Sequence, residues 1–423
     1  MLKGRGNNVI LTAFTGIASS LLHRGTTLHS RFKIPVPTHE DSESYLNEKA
    51  DINIIRNTAL IIVDEASMIP KAVLHSLDRL LRNIMYLPDV PFGGKCLLLC
   101  GDFRQCAPVS DIPQITDSTT ESIKYSFLWV YFVRYNFISN QRADANEEFF
   151  KNWSLRIGDG EEPTLNNTSL IQLPSEVVCE NNIVFDIFGE NIISIKDIDR
   201  YSMHVILTPN NQDSLEINDV ILKRIEGRRI TYRSITKIEY DDPLDEEMYP
   251  IEHAFAETPN GYPPHKLKVK IGAIVILLRN WCVRDGLCNG TRLKVIQCNK
   301  HSIKCAILTG ENAQKEYTFS RCVFRPKDND TNPIKIIRTQ FPFRLAFAMT
   351  INKSQGQTFD KVGLLLKEPV FSHGQLYVAI SRVRNLSSLK IMVVDIEGGT
   401  KQQGEIEGYT GVYTKNVVEK SLL

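Results

Sequence analysis

The sequence predicts an α/β protein whose sheets are largely parallel and covered by helices on both faces. Three observations carry that prediction. Residues 9–12, 59–63 and 96–100 are apolar runs of strand length, as strands buried on both faces are. Each run ends in small or polar residues: Thr15-Gly16, Asp64-Glu65 and Gly101-Asp102. Open α/β sheets bind their ligands at such carboxyl ends. One acidic residue after a strand is an ordinary turn; three such ends in succession make a pattern.

The other elements follow in order. A helical stretch, 17–22, follows the first run. Pro70 opens an amphipathic helix that carries Val73, Leu77, Leu80, Leu81 and Ile84 on one stripe. Further on, the pattern predicts a strand at 205–207, a helix at 213–224 and a strand at 230–235. Six basic residues and one acid lie between Ile221 and Ile238. Seven acids and no bases follow from Glu239 to Glu252, which predicts an exposed loop. Residues 266–278 and 291–297 alternate or run apolar around Gly272 and Asn289-Gly290, the signature of a small antiparallel barrel or hairpin module. Strands at 344–349, 361–366 and 388–394, with a helix at 374–382, restore the α/β pattern. Residues 160–200 carry no motif.

Composition narrows the class. The chain has 423 residues, 42% hydrophobic and 23% charged, the mix of a globular protein able to bury sizeable cores. Lys and Arg total 50 against 49 Asp and Glu, so any nucleic-acid surface must be local. No apolar run is long enough to span a membrane. The nine cysteines are odd in number and contain no C-x-x-C pair, which argues for reduced thiols in a cytosolic, nuclear or matrix compartment. Residues 1–39 hold no acid and several bases, a composition shared with mitochondrial leaders, but the same stretch reads better as folded protein.

The chemistry-bearing residues cluster at the strand ends. In Val63-Asp64-Glu65-Ala66-Ser67, one carboxylate at a buried strand tip can hold Mg²⁺ alongside phosphate oxygens. Its neighbour can orient and deprotonate an attacking water. In Gly101-Asp102-Phe103-Arg104-Gln105, Gln105 can sense a γ-phosphate, while Arg104 either touches phosphate or pairs with Asp102. Arg142 and Arg382 each offer a planar cation for charge on a transferring phosphoryl group, although a lone Arg is more often a surface salt bridge. The loop 348–358, with Thr350, Ser354 and Gly356, follows an apolar strand. Its hydroxyls and backbone N–H groups suit phosphates of a nucleotide or DNA.

Read together, these segments resemble superfamily-one helicases, and most closely the petite-integration-frequency (Pif) branch, including the helicase domain of Helitron transposons. The stretches that carry the resemblance include Thr15-Gly16-Ile17-Ala18, Thr27-Leu28-His29-Ser30-Arg31-Phe32, Val63-Asp64-Glu65-Ala66-Ser67 and Gly101-Asp102-Phe103-Arg104-Gln105. Later come His265-Lys266-Leu267, Leu277-Leu278-Arg279-Asn280, residues 287–292, residues 347–358 and Leu376-Tyr377-Val378-Ala379-Ile380-Ser381-Arg382. They fall in family order over nearly the whole chain.

The resemblance implies two RecA-like lobes with ATP between them and single-stranded DNA across both. It divides the chain into a partial first lobe (1–150), a connecting region (151–204), a second lobe in two parts (205–264 and 331–400), an SH3-like β insertion (265–330) and a tail (401–423). It assigns Mg²⁺ to Asp64, water activation to Glu65, and coupling of the γ-phosphate to DNA to Gln105. Arg142 and Arg382 reach the nucleotide, and Gly356 belongs to the same ATP site. Thr15, Gly16, His29, Thr350 and Ser354 line the DNA track. The implied activity is ATP-dependent 5′-to-3′ unwinding at duplex junctions, in DNA repair, recombination, telomere or mitochondrial DNA maintenance, in the nucleus or mitochondrion.

One family element has no counterpart. No stretch fits the phosphate cradle G-x-x-x-x-G-K-[ST]; Gly93-Gly94-Lys95 comes nearest, with Asp89 and Cys96 at the wrong places. In the family the cradle precedes the Thr-Gly-Ile-Ala segment, and here only fourteen residues precede Thr15. The expectation is therefore an N-terminally truncated chain, with a first-lobe sheet short of a central strand and little or no ATP hydrolysis as written. The alternative is a non-catalytic remnant that binds single-stranded DNA, of possible transposon origin.

Overall fold

The computed structural model describes residues 6–46, 48–108, 118–137, 140–189, 200–240, 248–259, 261–310, 312–326, 334–394 and 403–423. The chain forms two compact units. The first contains residues 1–187, 206–210 and 350–423; the second contains residues 188–205 and 211–349. Within the described residues, no helix is long and apolar enough to cross a membrane.

The first unit begins with β1 (Asn8–Ala13), α1 (Gly16–Leu21), β2 (Thr26–Thr27), β3 (Thr58–Asp64), α2 (Lys71–Met85), β4 (Cys96–Leu99) and α3 (Glu148–Asp159). The strands make one sheet in the order β2-β1-β3-β4, and every pairing in it is parallel. Pro70 stands just before α2, where its fixed φ and missing N–H cost nothing. The stripe Val73, Leu77, Leu80, Leu81 and Ile84 is buried with Ile61 and Val63 of β3, each such side chain contributing about 1.5–3 kcal/mol by leaving water.

Strand β4 departs from the sequence expectation. Its four apolar residues predict burial on both faces, yet Cys96 is exposed and Leu98 is 44% exposed. The reason is position: β3 pairs on both sides, with β1 and with β4, whereas β4 is the last strand of the sheet among the described residues.

In the second unit, β5 (Ile230–Arg233) pairs antiparallel with β6 (Lys266–Val269). The expected antiparallel module appears as a five-stranded sheet in the order Glu316–Phe319, Ile303–Ile307, Arg292–Cys298, Ile274–Leu277 and Phe343–Leu345. Two expected strands are each broken in two. The strand expected at 230–235 stops at Arg233, and a new one, Ile235–Tyr240, joins another sheet. Ser234 takes the switch, its N–H donating to the His265 carbonyl at 2.8 Å. The strand expected at 344–349 is interrupted because the N–H groups of Phe347 and Ala348 donate to the Asn218 side chain at 3.0 and 2.9 Å. The acidic block is not loop throughout: residues 239–240 end a paired strand and Ile251–Ala256 is helical, while 241–247 lie outside the described residues.

The chain returns to the first unit with β7 (Lys361–Leu366), α4 (Gln375–Ile380) and β8 (Leu389–Val393). β7 and β8 pair in parallel, Val362 opposite Leu389 and Leu366 opposite Val393. α4 is buried along its whole length.

Candidate functional site

All eleven residues singled out in the sequence fall in the first unit. Parallel pairing aligns the strand tips, and β3 delivers Asp64 and Glu65 together. Asp64 accepts the Glu65 N–H through Oδ1 at 2.9 Å. Glu65 then turns into the left-handed region, at φ 55° and ψ 43°, a conformation that costs a non-glycine residue about 1–2 kcal/mol. The turn is held because Ala66 donates to the Cys100 carbonyl at 2.8 Å, tying the end of β3 to the end of β4. Strain of this kind collects at functional sites.

Burial pushes the Glu65 carboxyl above its ordinary range, and Asp64 pushes it further up. Arg382 and Arg142 pull it back and Asp102 opposes them. The two carboxylates and two arginines expected to cooperate therefore sense one another electrostatically. Gly356 belongs to the same place: a Cβ on it would lie 3.6 Å from Glu65 Oε1. Its φ of +74° also suits glycine.

Arg382 contradicts the surface-salt-bridge expectation. It is wholly buried, and its guanidinium is held by neutral oxygens rather than a carboxylate. Nε donates to the Val378 carbonyl at 2.9 Å and Nη2 to Ser381 Oγ at 2.8 Å. Nη1 reaches the carbonyls of Gln357 at 3.2 Å and Ser354 at 3.5 Å. Burial brings its pKa down to about 10, so it stays a cation at neutral pH. Arg142 is exposed and donates to the Ser381 carbonyl at 3.2 Å.

The loop after β4 packs backbone to backbone against the start of α4. A Cβ on Gly374 would lie 2.3 Å from the Arg104 carbonyl oxygen and 2.7 Å from the Gln105 carbonyl carbon. No side chain fits there. Gln105 is thereby buried, and its Oε1 has no hydrogen-bond partner. A buried orphan acceptor is costly and calls for explanation. Arg104 pairs with Asp102 at 3.7 Å, one of the two roles the sequence offered, and is in addition bidentate to Asp159, Nε to Oδ1 at 2.6 Å and Nη2 to Oδ2 at 3.3 Å. Asp102 also accepts the Arg104 N–H at 3.1 Å and the Tyr377 hydroxyl at 2.7 Å.

Four of the five residues expected along a DNA strand sit at helix starts, and Ser354 ends a 3₁₀ turn. Thr15 caps α1, its Oγ1 accepting the Ala18 N–H at 3.2 Å, and Gly16 begins that helix. The His29 ring lies 5.5 Å from that of Phe14, and burial lowers its pKa. Thr350 precedes a short 3₁₀ turn, Ile351–Ser354. Ser354 differs from expectation: it is wholly buried and its hydroxyl donates to the Ile351 carbonyl at 2.6 Å. In this conformation it supports Arg382 instead of facing outward.

Sequence reasoning missed Asp159 and the contact of Tyr377 with Asp102, which fix the loop around Gln105. Tyr377 lies in a quoted segment but gave no sign of reaching Asp102, because 275 residues separate them. Gly374 was a visible signal, a glycine at the start of an apolar helix.

Two family models match the chain, one described as PIF1-like helicase over residues 1–168 and one as DNA helicase Pif1, 2B domain, over residues 258–298. The chain is 27% identical over 394 residues to the ATP-dependent DNA helicase PIF1 of Xenopus laevis, covering 91% of this chain and 54% of the relative. It is 27% identical over 391 residues to the ATP-dependent DNA helicase Pif1 of Campylobacter jejuni, covering 87% of this chain and 78% of that one. It thus spans about half the length of its vertebrate relatives. A solved structure of Bacteroides Pif1 bound to single-stranded DNA superposes with a TM-score of 0.65 at 25% identity, covering 92% of this chain and 84% of that one. Such relatives share the RecA-like α/β fold, and with the family motifs in order from Thr15 to Arg382 the chain is similar to the PIF1-like helicases over nine-tenths of its length.

Proposed function

We propose that this chain carries the water-activating carboxylate and the strand-gripping surface of an ATP-dependent DNA helicase that moves 5′ to 3′ on single-stranded DNA and opens duplex junctions. The observation that carries the reading is Glu65, a strained, half-buried carboxylate just past the tip of β3, whose pKa desolvation and Asp64 raise and two arginines lower. A carboxylate made more basic by burial is suited to take a proton from water. Gln105, with its orphan Oε1, is placed to respond to a ligand that supplies a donor. Arg142 and Arg382 supply positive charge where a phosphoryl group would carry negative charge. Thr15, Gly16, His29 and Thr350 form the strand track in this reading, while the buried Ser354 holds Arg382.

The donor set fits Mg²⁺ bound with a nucleotide. Asp64 is the one carboxylate such a site needs beside phosphate oxygens, and the metal would supply charge neutralisation there. Lobe boundaries at 150, 204, 264, 330 and 400, and a nuclear or mitochondrial location, complete the reading; the nine free thiols suit a reducing compartment. Since no stretch fits G-x-x-x-x-G-K-[ST], turnover by these 423 residues alone is expected to be slight.

The test has two parts. Fluorescence anisotropy with an oligo-dT strand should show salt-sensitive binding, weakened by Thr15→Ala and Thr350→Ala; no binding would sink the reading. ATP hydrolysis should be negligible with or without the strand. Turnover that DNA stimulates and Glu65→Gln abolishes would overturn that expectation and make the chain a complete motor. Binding indifferent to an ATP analogue would favour the non-catalytic remnant, the reading that the missing cradle supports.

A further inference from the structure

The basic block of the sequence falls on the β5–β6 ribbon of the second unit, away in the chain from every residue assigned above. The register sets Ile230 opposite Val269, Thr231 opposite Lys268, Tyr232 opposite Leu267 and Arg233 opposite Lys266. Because strand side chains alternate, these pairs divide cleanly between two faces. Tyr232, Leu267 and Val269 are buried, and Tyr232 is fixed there by its hydroxyl on the Asn299 carbonyl at 2.8 Å and by the Phe341 ring at 4.8 Å. The other face carries Thr231, Lys268, Arg233 and Lys266, and the same parity extends it to Arg229. Lys270 follows in parity but is buried, its ammonium donating to the Ile225 carbonyl, and burial and then Arg229 lower its pKa.

Like charges directly across a strand pair destabilise a sheet. The ribbon keeps Arg233 opposite Lys266 all the same. Two adjoining grooves of about 640 and 360 Å³ run over this face. Lys300 and Arg321 line the first and Lys223 the second; among the described residues Asp219, paired with Lys268 at 2.8 Å, is the one carboxylate lining either. A concave cationic strip of this kind concentrates a polyanion.

We propose that the outer face of the β5–β6 ribbon binds the sugar–phosphate backbone of duplex DNA. Single-strand grooves pair cations with exposed aromatic rings on which bases stack, and here the ribbon's aromatic residue, Tyr232, lines the first groove but is buried, with its hydroxyl fixed on the Asn299 carbonyl. Cations without a stacking platform suit a partner whose bases are already stacked inside a double helix, and a two-stranded ribbon is narrow enough to enter its major groove. The inference deepens the helicase reading by naming the surface that meets the duplex, and the test lets the two fail separately.

Anisotropy titrations over a salt series would compare a blunt duplex with an oligo-dT of equal length, for the full chain and for Arg233→Gln/Lys266→Gln. Both side chains are exposed, and unfolding curves check that the variant folds. The slope of log K against log salt for the duplex should fall by about 0.9 per lost phosphate contact, about 1.8 for the pair, with oligo-dT binding unchanged. Arg229→Gln/Lys300→Gln should act likewise and Thr231→Ala should do nothing. Equal losses on both nucleic acids would overturn the assignment to duplex. So would an unchanged duplex slope, which would leave a solvated face or an acidic-protein site, and so would wild-type protein that fails to bind the duplex. A lowered duplex slope in a chain that ignores oligo-dT would uphold this proposal while sinking the strand track.

Discussion

β3 and β4 are neighbours in one sheet, each built on a continuous apolar run, and they meet different fates. β3 lies between β1 and β4, and Ile61 and Val63 are wholly buried. β4 has a partner on one side and leaves Leu98 44% exposed. Yet both strand ends are equally well organised: Ala66 bonds to Cys100, Cys100 bonds back to Val63 at 2.9 Å, and the loop after β4 is locked against Gly374. The lesson is that the chemistry at the tips is held by strand-end hydrogen bonds and backbone packing, and survives an unfilled sheet edge. An exposed apolar edge is also the kind of surface that accepts another strand.

The largest test of the comparison is a matched truncation. Ile61→Ala should destabilise the first unit by about 2–5 kcal/mol in urea unfolding, while Leu98→Ala should cost under about 1 kcal/mol because much of it is already in water. Equal costs would mean that β4 is buried in solution, by self-association or by further chain. Next comes the joint between the strand ends. A Cβ at Gly101 would lie 2.8 Å from the Ser67 nitrogen and 3.0 Å from that of Ala66, so Gly101→Ala should cost about 1–3 kcal/mol by forcing the backbone apart. A neutral effect would show that the two ends are not locked.

Smaller again is the pH response of Glu65. Its folded pKa is raised above the ordinary 4.5, so the folded state binds its proton more tightly than the unfolded chain does. The stabilisation is complete below 4.5 and is lost as pH rises through the folded value. Glu65→Gln should therefore gain stability relative to wild type above that window and gain nothing below it. A difference curve flat with pH would disprove the burial that motivates it. Smallest is Leu98→Thr, which should leave the unfolding midpoint within about 0.5 kcal/mol but reduce concentration-dependent light scattering. A chain extended at its N-terminus by another apolar strand should lose that benefit if the strand docks on β4.

Strand identity was legible because apolar runs followed by Thr15-Gly16, Asp64-Glu65 and Gly101-Asp102 are local patterns, and so were the candidate carboxylates, Gln105 and the two arginines. The amphipathic stripe of α2 was legible for the same reason: period and composition act over a single turn or pleat. The sequence by itself thus determined the element types, the family motifs and the lack of a cradle motif. Tertiary structure alone decided the rest. It set β4 at an edge, broke 230–235 at Ser234 and 344–349 at Asn218, and wrapped Arg382 in carbonyls. It also brought Tyr377 to Asp102 and sorted the basic block onto one face of a ribbon. Each of these depends on which segments meet across dozens to hundreds of residues, and neither hydropathy nor spacing encodes a partner. Burial, and with it every shifted pKa at the site, is a property of that meeting.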